Sequence, residues 1–273
     1  MVSKKVYENI KSVRIQGAMN IAKYSLLYLK SFAKKHGFGK KFEKEMKILE
    51  KIRPTAVVLH NVLEELNKEK SFEKINELLE RLEEADDLVA KTSQKIIPKK
   101  ATILTHCHSS IAVSCIKFAK KLGKRIRVIA TVTEPLDQGL ITARELGSTG
   151  IKVKLIEDNA VGYMMQTEKI DLVLVGTDAL RKDGLINKIG TYTIAVLAKE
   201  HGIPFYSAGS YFKLDKRKKV IIEKRPWKEV LKRKIKNVEV VNPAFDLTPW
   251  KFVKGVVMED KILTPKKLVR LLE

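Results

Sequence analysis

After residue 98, short β-branched runs alternate with helical stretches, and this alternation limits the possible folds more than any other feature. The predicted strands cover residues 101–105, 126–132, 152–156, 171–175 and 203–207. The predicted helices between them cover residues 110–122, 140–147, 161–167 and 192–200. Strands joined through helices need crossover connections and therefore a parallel sheet. Because the strands are almost continuously apolar, both faces of that sheet should be covered. We predict an α/β fold with a Rossmann-like domain at residues 98–273.

The first hundred residues follow a different pattern, in which apolar side chains recur at helical spacing. Helices are predicted around residues 19–29, 42–52, 57–66 and 72–89. Pro54 interrupts the pattern and suits the first turn of the helix that follows it. We therefore predict a helical N-terminal domain at residues 1–97.

The chain is strongly basic, with a formal net charge of +22 from 54 Lys and Arg against 32 Asp and Glu. Such a surplus favours acidic partners: nucleic acid, an acidic protein surface or phosphorylated metabolites. A charged surface of the thermophilic type is the alternative. The densest basic stretch, residues 213–236, leaves RNA binding open, but aromatic residues at 7% offer few stacking platforms.

The two cysteines, Cys107 and Cys115, make a disulfide framework implausible and favour reduced thiols in the cytosol. The N-terminus has no apolar signal region, and no apolar stretch is long enough to span a bilayer. We therefore expect a cytoplasmic protein without membrane attachment.

Ligands of an open parallel sheet bind beyond the carboxyl ends of its strands, at the point where strand order reverses. The residues that follow the predicted strands include THCHS at 105–109, TEP at 133–135 and GTD at 176–178. Neither GxGxxG nor GxxxxGK[ST] follows the first strand, which argues against a dinucleotide cofactor or a P-loop nucleotide site. We expect no cofactor.

Cys107 and Asp178 are the residues at this edge best suited to proton transfer. Cys107 precedes a predicted helix N-terminus, where backbone N–H groups lower the pKa of a thiol. The plainer interpretations are a small buried side chain for Cys107 and a turn or capping residue for Asp178. Because both follow strands of one sheet, we predict a catalytic pair, with one group acting on carbon and the other on oxygen.

Two further groups of residues could bind ligands at this edge. His106, Cys107 and His108 cannot all reach one ion, because neighbouring side chains at a strand end point to opposite faces. We therefore predict no metal site. Asn187 and Lys188 are expected in a loop before a helix N-terminus, where they could hold a phosphate or sugar hydroxyls; solvated loop residues are the alternative.

Several segments, taken together and in order, resemble one superfamily. They are RPTAV at 53–57, THCHS at 105–109, GTD at 176–178, NKIGTY at 187–192, and NPAFD at 242–246 followed by Thr248-Pro249. The superfamily unites the alpha, beta and delta regulatory subunits of translation initiation factor 2B with methylthioribose-1-phosphate isomerase and ribose-1,5-bisphosphate isomerase. The resemblance implies a helical N-terminal domain, a Rossmann-like C-terminal domain, and homodimers formed through the latter.

The resemblance also implies roles for individual residues. In the isomerases, a Cys and an Asp at these positions convert an aldose phosphate to a ketose phosphate. Asp178 would then handle the sugar oxygens while Cys107 moves the carbon-bound proton. The candidate ligand-binding residues are Gly17, Ala18, His108, Asn187 and Lys188.

Three positions depart from the isomerase pattern. Gln16 and Glu134 stand where isomerases of the superfamily carry Arg, and Ser110 stands where the bisphosphate isomerase carries Lys. Each change removes a cation that could meet a phosphate. Charge-assisted hydrogen bonds are about twice as strong as neutral ones. The departures favour a non-catalytic, alpha-type regulatory subunit. Its expected protein partner is the alpha subunit of initiation factor 2, and its expected ligand is a phosphorylated sugar or nucleotide. The retained Cys107 and Asp178 favour the alternative, a sugar-phosphate isomerase.

Overall fold

The computed structural model describes residues 17–52, 55–218 and 222–273. Gln16 and Pro54 therefore lie outside the described residues. The chain folds into two compact units, and the division between them falls between Ala85 and Asp86. This division lies inside a helix and precedes the boundary expected near residue 98, which stays a prediction.

The first unit is helical. Its described elements are α1 (Ala18–His36), α2 (Lys40–Ile52), α3 (Val57–Lys68) and the larger part of α4 (Phe72–Ser93). Leu26 and Leu29 of α1 and Phe42 of α2 are fully buried, as the helical spacing of apolar residues predicts. Among the described residues, no helix is long and apolar enough to cross a membrane.

The second unit alternates strands and helices. In chain order it contains β1 (Lys100–Thr105), α5 (Ser110–Lys121), β2 (Arg125–Thr131), α6 (Gln138–Ser148), β3 (Lys152–Ile156), α7 (Val161–Thr167), β4 (Leu172–Val175), β5 (Ala179–Leu180), β6 (Gly184–Lys188), α8 (Thr191–Glu200), β7 (Phe205–Ala208), β8 (Phe245–Pro249), β9 (Gly255–Val257), β10 (Ile262–Leu263) and α9 (Pro265–Leu272).

Seven of these strands form the main sheet, in the order β10-β9-β7-β4-β1-β2-β3. All neighbouring pairs are parallel except β9 and β10. The chain builds outward from β1 to β3 and then returns to place β4 on the other side of β1. The predicted α/β fold is therefore confirmed, and the reversal of strand order falls between β1 and β4.

The sheet separates two hydrophobic cores, because consecutive side chains of a strand point to opposite faces. Ile103 of β1 packs in the cluster that contains residues of α5, whereas its neighbour Leu104 packs with Val161 of α7. Both faces are dry in the middle of the sheet, which accounts for the continuous apolar runs in the sequence.

A small antiparallel sheet, in the order β5-β6-β8, was not predicted. Asn187 and Lys188 are the last two residues of β6, so their placement in a loop is wrong. Asp183-Gly184, at the start of β6, is a hairpin signal in the sequence. The register sets Asp246 of β8 opposite Asn187, which joins two distant parts of the chain at one point.

Candidate functional site

The loops after β1 and β4 pack directly against each other. A Cβ added to Gly176 would lie 2.2 Å from the Oγ of Ser109, so only glycine permits this approach. β1 and β4 are paired neighbours, and the charge of Asp178 acts on the Cys107 thiol. The structure thus brings Cys107 and Asp178 to one edge of the sheet; their catalytic roles stay predictions.

Cys107 has a left-handed backbone, with φ at 67°. This conformation typically costs about 1 kcal/mol or more outside glycine and persists where neighbouring groups enforce it. The backbone N–H of Cys107 donates to Oγ1 of Thr133 at 2.9 Å, and Thr142 Oγ1 donates to the Cys107 carbonyl at 2.9 Å. Its Sγ lies 3.5 Å from Oε1 of Gln138. The thiol is therefore held in a fixed position.

The Cys107 thiol is not acidic in this structure. Burial raises its pKa to about 12, while the Lys188 ammonium acts in the opposite direction and the Asp178 carboxylate adds to the rise. The prediction that the helix N-terminus lowers this pKa is wrong, because desolvation outweighs the helix dipole. The hydroxyl of Ser109 also takes up one N–H group of that terminus, from Ala112.

His106 is a buried, neutral ring that joins two loops. Its Nε2 lies 2.8 Å from the carbonyl oxygen of Ile189, and its Nδ1 lies 2.7 Å from Oγ1 of Thr131. A carbonyl only accepts, so Nε2 carries the proton and Nδ1 accepts from the Thr131 hydroxyl. Burial lowers the pKa of His106, in keeping with a neutral ring. Both nitrogens are occupied, which leaves neither for a metal.

His108 points to α6. Its Nδ1 lies 3.1 Å from Oγ1 of Thr142, and its Nε2 lies 4.0 Å from a carboxylate oxygen of Glu145. Since Thr142 gives its own proton to the Cys107 carbonyl, His108 donates through Nδ1. Its assignment as a ligand-binding residue stays a prediction. In the described part of the chain, no group of three or more His, Cys, Asp or Glu residues could hold a metal ion.

Asn187 and Lys188 are fixed at the end of β6 by their own backbone and by Thr191. Nδ2 of Asn187 donates to Oγ1 of Thr191 at 3.0 Å, and that hydroxyl donates to the Lys188 carbonyl at 2.6 Å. Asn187 is buried, whereas Lys188 is partly exposed and lies with its Nζ 5.4 Å from the centre of the Phe245 ring. Lys188 therefore presents a cation to the crevice that contains Cys107.

Asp246 occupies the N-terminus of α8. Its carboxylate accepts from the backbone N–H of Gly190 at 2.7 Å and of Tyr192 at 3.1 Å. Burial raises its pKa to about 6 despite these two bonds. Because the Asp246 side chain fills this helix terminus, its N–H groups are taken, and binding of a phosphate by the side chains of Asn187 and Lys188 stays a prediction.

Lys213, the first residue of the dense basic stretch at 213–236, is buried. Its residue is only 5% exposed. Burial lowers its pKa, while the carboxylates of Asp178, Asp86 and Glu259 raise it. Lys213 follows β7, the neighbour of β4 in the sheet. Position after a strand end was therefore the signal that could have identified it.

The rim after β2 is acidic. Thr133 and Glu134 both donate their backbone N–H groups to Asp158, at 2.8 Å each. Glu134 itself is exposed, and its pKa is raised by partial desolvation and by the charges of Asp137 and Asp158. The rim thus carries negative charge at the position where the resemblance implies an arginine in the isomerases.

Gly17 and Ala18 belong to the first unit, where Gly17 has a φ of 84° and Ala18 begins α1. Their assignment as ligand-binding residues stays a prediction.

The model of the initiation factor 2 subunit family matches residues 14–265. The chain belongs to this family. Among its relatives, the ribose 1,5-bisphosphate isomerase of Methanocaldococcus jannaschii is 37% identical, over 97% of this chain and 92% of the relative. The putative methylthioribose-1-phosphate isomerase of the same organism is 38% identical, over 96% of this chain and 87% of the relative.

Solved structures of this family share the fold. The Pyrococcus horikoshii protein described as translation initiation factor eIF-2B superposes with a TM-score of 0.85 at 29% identity, covering 99% of this chain and 98% of its own.

The expectation of a regulatory alpha-type subunit is wrong. Relatives between 34% and 38% identical are named as isomerases of ribose 1,5-bisphosphate or methylthioribose 1-phosphate. They favour the alternative, a sugar-phosphate isomerase, and no finding supports the alpha subunit of initiation factor 2 as a partner. The absence of three cations was therefore a poorer guide to function than the presence of Cys107 and Asp178.

Proposed function

We propose that this protein is an aldose–ketose isomerase that acts on a pentose 1-phosphate. The observation that carries the proposal is the meeting of Cys107 and Asp178 at the reversal of strand order, beside the cations Lys188 and Lys213. The names of the relatives support this reaction class.

The reaction needs only proton transfers and the opening of the sugar ring. The hydrogen on C2 moves to C1, the bond between C1 and the ring oxygen breaks, and the proton of the C2 hydroxyl passes to that ring oxygen as C2 becomes a carbonyl. Carbon is oxidised at one position and reduced at its neighbour, so no external electron acceptor takes part. Two groups on opposite sides of the reacting carbons suffice, one for carbon and one for oxygen.

Cys107 would take the carbon-bound proton and Asp178 would serve the oxygens. Since burial holds Cys107 as a thiol, its proton has to pass to solvent water before the sulfur can accept one from carbon. The ammonium of Lys188 stabilises the resulting thiolate, because it lowers the pKa of Cys107. The charge of Lys213 likewise acts on Asp178 and would favour an oxyanion that forms there.

Side chains rather than a helix terminus would bind the phosphate. Asp246 already fills the N-terminus of α8, and the rim after β2 is acidic. Lys188 and Asn187 therefore remain the candidates in the second unit. These two residues offer a phosphate fewer cations than the isomerase pattern does. We therefore favour a substrate with one phosphate over a bisphosphate.

The test is turnover of ribose 1,5-bisphosphate and 5-methylthioribose 1-phosphate in parallel, with ketose formation followed by NMR. We expect turnover of at least one, with Cys107→Ala and Asp178→Asn each reducing kcat by about a thousandfold. Cys115→Ala is the control, because Cys115 is buried in the core, and it should retain kcat. Absence of turnover on both sugars, or full activity of Cys107→Ala, would refute the proposal.

We also propose a cytoplasmic homodimer in which both cysteines are reduced. Static light scattering should give twice the mass of the chain, about 62 kDa from 31.0 kDa. A monomer across micromolar concentrations would contradict this.

A further inference from the structure

A cavity of about 410 Å³ lies at the amino edge of the main sheet, opposite the Cys107 crevice. Its walls are the starts of β1, β2 and β3 and the segment before β4. Six cations line it: Lys100, Lys120, Arg125, Arg127, Lys152 and Lys169. Ala101, Ile126 and Gly150 are among the uncharged lining residues.

Strand register sets several of these cations side by side. Arg127 of β2 is the direct partner of Lys152 on β3, and Arg125 is the direct partner of Lys100 on β1. Partners in adjacent strands are about 4.8 Å apart and point to the same face. Like charges in this arrangement repel one another. An anion bound between them would relieve that repulsion.

The length of α7 explains why the cavity is open. Arg127 lies on the same face of β2 as Ile129, which packs against Val161 of α7. α7 has seven residues, whereas α5 on the other face has twelve. At about 1.5 Å per residue the shorter helix covers only part of the strands. The amino-terminal halves of β2 and β3 therefore stay uncovered on this face.

Few carboxylates balance the cations. Asp171, the one acidic lining residue, accepts from the backbone N–H of Thr102 at 2.7 Å. Glu168 pairs with Lys154 at 2.5 Å, and the charge of Arg127 also acts on its carboxylate. Across residues 17–52, 55–218 and 222–273, none of the six cations forms an ion pair.

We propose that this cavity binds a small anion that carries several phosphates. Its volume suits a small molecule, since ligand pockets begin at about 300 Å³. Its lining holds no aromatic side chain on which a base could stack. Recognition therefore rests on the phosphates rather than on a base.

A role in helix stability accounts for only some of the six cations that line the cavity. Lys120 lies in the last turn of α5, where a cation stabilises the helix dipole. Arg127 and Lys152 lie on strands and gain nothing from a helix terminus. These two residues are therefore the ones that distinguish a binding site from ordinary surface charge.

The experiment is calorimetric titration of the full chain with inorganic tripolyphosphate at about 0.15 M salt. We expect 1:1 binding that becomes at least about tenfold weaker in the double variant Arg127→Gln/Lys152→Gln. Lys266→Gln/Lys267→Gln is the matched control, because it removes the same charge from exposed residues of α9. Its affinity should stay close to that of the wild type.

Lys188→Gln reports whether the anion binds in the Cys107 crevice instead. The proposal expects tripolyphosphate affinity to be unchanged in this variant. Absence of binding by the wild type, equal weakening in the two double variants, or loss of binding in Lys188→Gln would overturn it. None of these results depends on whether the chain is an isomerase.

Discussion

The two edges of the main sheet use polar residues in opposite ways. At the carboxyl edge, polar groups bond to one another: His106 contacts Thr131 and Ile189, and Cys107 contacts Thr133. At the amino edge, Arg127 and Lys152 stand beside each other without an ion pair in the described chain, and Arg127 donates to the hydroxyl of Thr102 at 3.1 Å.

The two edges are therefore suited to different chemical roles. A crevice whose polar groups are fixed and largely buried can shift pKa values and position a reacting carbon. A cavity of unpaired cations supplies charge and little directional chemistry. The same strands thus carry a site suited to proton transfer at one end and a site suited to anion binding at the other.

The largest expected effect comes from removing the close approach at the carboxyl edge. Gly176→Ala places a Cβ 2.2 Å from Ser109 Oγ, so the loops after β1 and β4 have to separate. We expect a loss of about 3 kcal/mol in the free energy of unfolding, measured with urea. Gly147→Ala is the control, because nothing lies within 4 Å of its added Cβ. Equal stability of the two variants would show that this edge tolerates movement.

The pH dependence of turnover tests the role of the buried thiol. With the pKa of Cys107 at about 12, the thiolate fraction of the free enzyme rises with pH throughout the neutral range. We expect kcat/KM to rise about tenfold per pH unit between about pH 7 and pH 9. A flat profile would mean that Cys107 gives a proton rather than takes one.

A smaller effect on stability is expected from Asp246, whose carboxylate occupies the N-terminus of α8. Burial raises the pKa of Asp246 in the folded chain to about 6, above its ordinary value of 3.8. Its contribution to stability is therefore full below about pH 4 and lost as pH rises toward 6. Asp246→Asn keeps an acceptor for the Gly190 N–H and does not ionise.

The stability difference, wild type minus Asp246→Asn, should accordingly fall by on the order of 2 kcal/mol between about pH 4 and pH 7. Urea unfolding at several pH values measures it. A difference that rises with pH would mean that the carboxylate is stabilised at the helix terminus.

The smallest effect belongs to the amino edge. Without anion, Arg127→Gln/Lys152→Gln removes repulsion between direct neighbours, so we expect the chain to gain about 0.5 kcal/mol of stability. Thermal unfolding in phosphate-free buffer checks this against Lys216→Gln/Lys218→Gln, which removes the same charge from two exposed loop residues and should be neutral. Destabilisation of the first variant alone would indicate that these cations already have compensating partners.

The sequence predicted the features that depend on local pattern. Continuous apolar runs such as Leu172–Val175 identified the parallel sheet, and the rule for strand ends brought Cys107 and Asp178 together. The raised pKa of Cys107 was missed because desolvation depends on neighbours from distant segments. Lys213 was missed for the same reason, since a lysine within a basic run gives no sign of being buried.

The amino-edge cavity shows a further limit. Alternation along β2 indicates that Arg125 and Arg127 share a face, but only strand register shows that Lys100 and Lys152 stand beside them. Register depends on which strands become neighbours, and the sequence alone does not specify that. The β6–β8 pairing that sets Asp246 against Asn187 was missed in the same way.

The His106 ring has a consequence for spectroscopy. Its Nε2 proton is shielded from water and bonded to the carbonyl of Ile189, which directly follows Lys188. Such a proton exchanges slowly enough to give a resolved imidazole resonance, and its chemical shift follows the length of that hydrogen bond. Any molecule that moves the Lys188 backbone should therefore displace the resonance. The ring gives an internal NMR reporter of crevice occupancy that needs neither turnover nor a labelled ligand.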